Sequence, residues 1–222
     1  MKVIFIVFRI IISLLLIPCC VAFSMSFCKG IFGIKAISDS GLIFLLGAFS
    51  YAFLHLVLFK LDFLYVLGHE LLHGLTTTFF GGKVKDLKVS SEQGSIKTTT
   101  PNFIVALAPY LIPGYTIFIT LVYFIASFFI DVTRYYGVFM FLLGFTLMMH
   151  ITYTAQSVRE RQPDLFISGY LFSISLLYIV NIIVVFLIIS FAFKDASFFD
   201  FLSRGYETSK KFYYLFWKQL FL

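Results

Sequence analysis

Six long apolar stretches constrain this chain more than any other feature. They run at about 3–24, 41–59, 62–80, 102–129, 135–157 and 165–193, and each is close to or beyond the roughly 20 residues a helix needs to cross the hydrocarbon core. Backbone in lipid must satisfy its own hydrogen bonds, so such runs become helices or closed barrels. These are continuously apolar and lack the in–out alternation of a barrel strand, which predicts helices. Composition agrees, since 60% of the 222 residues are hydrophobic and only 13% are charged, unlike a soluble domain. The expected fold is an all-α membrane protein: a polytopic bundle of about six transmembrane helices, one domain over 1–222, in the cell membrane.

The net charge of +6 falls mainly on loop lysines and arginines, which orient spans and meet anionic headgroups; it carries no nucleic-acid signal. Lys60 and Asp62 leave only a tight turn between the second and third stretches, predicting an antiparallel helical pair. Asp131 and Arg134 mark another turn. One substantial loop remains, "GGKVKDLKVSSEQGSIKTTTPN". Gly81 and Gly82 end the helix before it and Pro101 precedes the next. Val84, Leu87 and Val89 among lysines, the turn-forming "SSEQG" and the β-prone "SIKTTT" suggest a β-hairpin within 81–101, the alternative being an ordinary solvated loop.

Residues 195–222 mix Phe198, Phe201, Tyr213 and Trp217 with Arg204, Lys210, Lys211 and Lys218. That mixture predicts an interfacial segment lying on the bilayer. Cys19, Cys20 and Cys28 cluster near the N-terminus and read as small apolar residues, neither a disulfide framework nor a paired zinc site. Without the C-terminal tail, the side holding Lys83, Lys85, Lys88 and Lys97 is richer in positive charge and is expected to be cytoplasmic. With the tail counted, the two sides nearly balance.

Within the third stretch stands "GHELLHG", residues 68–74. Positions four apart share a helix face, so His69 and His73 can offer two imidazole nitrogens to one metal ion. Glu70 projects from the neighbouring angle, where it can take a proton from an activated water and hand it to a leaving group. With four histidines in the chain, an HExxH arises by chance on the order of once per thousand such sequences. A carboxylate at mid-bilayer costs roughly 2.5–3.5 kcal/mol, so Glu70 calls for compensation, and a metal supplies it. A hydrogen-bonded polar cluster tying helices together is the bland alternative. Bis-histidine haem is another, since His55, His69, His73 and His150 all fall in apolar stretches, but it leaves Glu70 without a role.

Catalytic zinc sites use three protein ligands and an open position, so a third ligand must come from elsewhere. The candidates are Asp62, Asp131, Asp164, His55 and His150, with Glu160 more remote. Asp62 lies about two turns before His69 on the same helix, and Asp131 belongs to the opposite membrane face. Asp164 opens the sixth stretch after Pro163, and the parity of six spans brings it to the face where the third ends. His150 is the runner-up, nearing that face on the fifth stretch. Asp164 could instead serve only as a helix cap.

His69, Glu70 and His73 in a span, then Gly81 and Gly82, a strand-like loop and the proline-broken "ALAPYLIPGY", resemble the site-2 protease family of intramembrane zinc metalloproteases over roughly residues 62–180. The resemblance implies Zn2+ on His69 and His73, Glu70 as general base, and an aspartate from a later span as third ligand. Asp164, in Gln162–Pro163–Asp164, matches that role best, although the family's NPxPxxDG-like signature is missing, which suggests a divergent branch. It further implies a metalloprotease core over about 62–193, a transmembrane protein or peptide substrate, and a motif helix running toward the cytoplasm. Pro109, Pro113 and Gly114 break the fourth stretch, where irregular backbone could line a polar path for water.

Other classes carry different signatures. A non-catalytic membrane protein, either a metal or solute transporter or a pseudoprotease scaffold, would keep its function without Glu70. A prenyl-protein protease also carries HExxH but takes a downstream glutamate, for which Glu160 and Glu207 are the later candidates.

Overall fold

The computed structural model describes residues 2–90, 94–98 and 102–221. The expected turn at 91–93 and Pro101 lie outside the described residues. Among the described residues, four helical segments are long and apolar enough to cross a membrane, Val7–Phe32, Asp39–Leu58, Thr133–Arg159 and Tyr170–Ala192, and a bent pair makes up to five. The chain is thus a helical membrane protein. Large apolar side chains cover its outside, Phe8 being 59% exposed and Phe49 75%, as suits lipid rather than water as the neighbouring solvent. Of the six expected spans, the one carrying HExxH does not pass on length and apolarity: its two histidines, Glu70, Asp62 and three threonines lower its hydropathy.

Contacts sort the chain into two units, Met1–Ser38 with Ser168–Leu222, and Asp39–Ile167. In the first unit, α1 (Lys2–Phe32), α7 (Tyr170–Ala192) and α8 (Phe198–Phe221) pack together. Cys20 and Ser24 of α1 meet Ser175 and Tyr178 of α7, and Gly30 gives room to the ring of Phe186. Within the stretch 195–222, expected to be interfacial, Phe198–Phe221 form α8, which runs antiparallel along α1. Phe201 accepts from Ser26, Gly205 abuts Phe23, and Tyr213 reaches Cys19 and the carbonyl of Leu15. The small residues Gly205 and Ser209 explain the close approach, because they leave the buried side of α8 nearly flat.

The second unit holds the motif. Its helices are α2 (Asp39–Phe53), running into a π-helical turn at Leu54–Leu58, α3 (Asp62–Phe79), α4 (Phe103–Leu111), α5 (Gly114–Ala126) and α6 (Tyr136–Arg159). Two glycines bring α2 and α6 into backbone contact. A Cβ on Gly47 would lie 2.0 Å from the carbonyl oxygen of Phe141, and one on Gly144 would lie 2.0 Å from that of Phe44. Small residues on both partners are how lipid-embedded helices gain contact area without a hydrophobic drive between them. Thr116 on α5 and Thr146 on α6 add a buried hydroxyl pair at 3.1 Å.

Asp62 stands in the first turn of α3, where the helix dipole favours a carboxylate, and accepts from Tyr153 at 3.0 Å. Tyr153 in turn stacks on Tyr65, centroids 4.0 Å apart and planes 3° from parallel, joining α6 to α3. At the other end of α3, Gly81 adopts φ +74°. Its N–H meets the carbonyl of Thr78 and that of Gly82 meets Thr77, the paired bonds by which a left-handed glycine closes a helix. Beyond it, β1 (Val84–Val89) and β2 (Gly94–Thr98) pair antiparallel, Lys88 opposite Ser95 and Leu87 opposite Ile96, with an irregularity between Val84 and Asp86. Asn102 then caps α4 by accepting from the N–H groups of Ile104 and Val105. After α4 the chain breaks at Ile112 and Pro113, and α5 departs at 68°, because proline lacks the donor that would continue the helix.

Candidate metal centre

Helical periodicity sets the first half of the site. On α3, His69 and His73 turn their Nε2 atoms toward each other at 3.1 Å. Glu70 and His73 are each 7% exposed, and Glu70 lies near enough to His69, His73 and Asp164 to feel their charges. Apolar side chains elsewhere on the helix face outward, Leu71 and Leu75 among the exposed residues. The polar groups therefore collect on the inward face.

The second half arrives from a distant turn. At the end of α6 the N–H groups of Arg161 and Gln162 bond the carbonyls of Val158 and Ser157, with Arg161 at φ +56°. This closure usually takes glycine; a non-glycine residue there costs about 1–2 kcal/mol. The reversal leads into a short 3-10 turn, Pro163–Phe166, with Pro163 at its start. Asp164 Oδ2 ends 3.8 Å from His69 Nε2 and 3.5 Å from His73 Nε2. The sixth apolar stretch, expected to be helical from 165, becomes helical only at Tyr170 after Gly169 at φ +94°. Burial disfavours the charge on Asp164, but the two imidazoles beside it, when protonated, outweigh that and hold the carboxyl well below the ordinary carboxylate range.

One ligand atom from each of His69, His73 and Asp164 lies within 4.8 Å of the others. Two ligand atoms each about 2.1 Å from a tetrahedral centre sit about 3.4 Å apart. The separations of 3.1, 3.5 and 3.8 Å bracket that spacing, so two nitrogens and one oxygen fit a first-row divalent ion. Each of these groups has a further partner. His73 Nδ1 is 2.9 Å from the carbonyl of Val105, His69 Nδ1 is 3.3 Å from the hydroxyl of Tyr65, and Tyr110 donates to Asp164 Oδ2 at 3.1 Å.

The remaining candidates stand apart from this cluster. His55 meets the hydroxyl of Tyr51 at 3.0 Å and the ring of Tyr153 edge-on. Glu160 accepts from Gln156 on the exposed end of α6. Asp131, in the turn before α6, accepts from the hydroxyl and N–H of Thr133, which hold its carboxyl below the usual range. His150 lines a groove of about 290 Å³ between α3, the α4–α5 break and α6, whose walls include Leu72, Tyr115, Thr146 and His69. The break thus borders a largely apolar groove rather than the polar path expected there. Tyr65 and Tyr110 also touch the cluster. Tyr65 is signalled by its place one turn before His69 on the same face; Tyr110 is far from the motif in sequence and has no such signal.

No protein-family model, curated protein or solved structure matches the chain.

Proposed function

We propose that this protein is an intramembrane zinc metalloprotease, hydrolysing a peptide bond of a membrane-embedded protein substrate. One observation carries the reading: an HExxH helix in a membrane protein meets a carboxylate from a distant turn at metal-ligand spacing. His69, His73 and Asp164 are the zinc ligands and Glu70 the general base. When bound, zinc supplies the positive charge that acidifies a water and polarises the scissile carbonyl. Glu70 accepts a proton from the attacking water and passes it to the leaving nitrogen, a role worth about 10²–10⁴ in rate. The burial of Glu70 keeps that proton exchange within the site.

In this reading α3 is a sixth span, crossing toward the cytoplasm of the cell, and its polar face is stabilised by the metal it binds. The groove that His69 lines suits an apolar stretch of substrate, and an extended peptide could add as a strand beside β1 or β2. The decisive experiment purifies wild type and Glu70→Gln, measures zinc per chain and follows cleavage of a transmembrane reporter. One zinc in both proteins with cleavage lost only in the variant is the expected result. Full cleavage by Glu70→Gln would end the proposal, and zinc flux through proteoliposomes that survives the substitution would favour a transporter.

A further inference from the structure

We infer that Tyr110 and Tyr65 are positioning residues of this centre, and that α4 acts as its outer clamp. The inference rests on the zinc reading above. A ligand ring or carboxylate keeps its direction only when a second group also holds it, and all three candidate ligands have such a hold.

His73 Nδ1 faces the carbonyl of Val105 at 2.9 Å. A carbonyl can only accept, so Nδ1 carries the proton and the lone pair of Nε2 turns into the cluster. Asp164 is held by Tyr110, whose hydroxyl donates to Oδ2, the same oxygen that faces both imidazoles. The ring of Tyr110 meets His69 edge-on at 5.0 Å, and the residue is 1% exposed.

His69 Nδ1 faces a hydroxyl instead, that of Tyr65, which also lies 3.0 Å from Ser157 Oγ. With Nε2 free for a metal, Nδ1 donates to Tyr65 and Tyr65 donates onward to Ser157. The chain of bonds then runs one way and fixes the tautomer.

Two of the three holds come from α4. Val105 and Tyr110 lie on one buried helix, capped by Asn102 at its start and broken by Pro113 just after its end. Ligands from α3 and from the 163–166 turn are thereby referred to a single element that contributes no ligand itself.

Tyr110→Phe and Tyr65→Phe each keep the ring and remove one oxygen. Tyr115→Phe is the control, since its hydroxyl donates to the Leu64 carbonyl on the motif helix. Zinc affinity is read in nanodiscs by competition with a chromogenic chelator, ligand geometry from the visible spectrum of the cobalt-substituted protein, and folding from thermal unfolding of the metal-free chain. The two tyrosine variants should lose roughly 10–100-fold in zinc affinity and alter the cobalt spectrum, with the control within about twofold of wild type. Metal-free unfolding of the two tyrosine variants should shift no more than that of Tyr115→Phe, since each of the three loses the bonds of one hydroxyl.

Wild-type affinity and spectrum in both variants would overturn the inference, and a loss in one alone would overturn it for the other. A loss matched by Tyr115→Phe, or accompanied by metal-free stability well below that control's, overturns it equally, because it reports general loosening. Zinc-free behaviour of the wild type would end the zinc reading itself, so the two failures are distinguishable.

Discussion

At the scale of residues, the distinction that matters is between Asp164 and His150. Both were candidates for the third ligand, and the structure sets Asp164 beside the two histidines while His150 lines the neighbouring groove. Asp164→Asn should lower bound zinc to a small fraction of one per chain, as should His69→Ala, whereas His150→Ala should keep it. Metal analysis of the purified variants checks this; zinc retained by Asp164→Asn and lost by His150→Ala would reverse the assignment. The motif histidines were legible because their meeting is local: four residues on a helix return to the same face whatever the rest of the chain does. The sequence points to Asp164 through the parity of spans and the family resemblance, which give a membrane face and a residue type but no distance. Tyr110 was out of reach, since nothing local links it to a carboxylate fifty-four positions later.

At the scale of elements, close contact depends on glycine where helices cross. Gly47→Ala or Gly144→Ala would drive a methyl into a carbonyl oxygen of the facing helix. Each should destabilise by about 1–3 kcal/mol and lower the unfolding temperature in detergent. Gly137, whose Cβ would meet only the end of Ile43 at 3.5 Å, should tolerate alanine with little change and serves as the control. The β1–β2 pair permits a different test. If an extended substrate adds there, removing residues 86–96 should abolish cleavage while zinc content and folding persist; unchanged cleavage would sink strand addition. The broken fourth stretch could be seen in Pro109, Pro113 and Gly114 because proline acts on its own backbone. The antiparallel run of α8 along α1 could not, since an amphipathic segment reads alike whether its apolar side meets lipid or a neighbouring helix.

At the scale of the whole molecule, the open quantity is which way α3 runs. In a background with Cys19, Cys20 and Cys28 replaced, Lys60→Cys and Lys85→Cys flank the helix. If α3 crosses toward the cytoplasm, a membrane-impermeant maleimide should label position 60 in intact cells and position 85 only after permeabilisation. Labelling of both in intact cells would remove α3 from the spans. The class of the molecule follows from the amino-acid order alone, because apolar runs of this length leave the backbone little choice in lipid but to become helical. So does the shared face of His69 and His73, because helical periodicity is local. Which carboxylate meets that face, which tyrosines hold it, and which helices touch through glycine come from long-range packing. Those pairings depend on how apolar helices turn about their axes, and a helix as uniformly apolar as α7 carries no polar side to reveal its rotation.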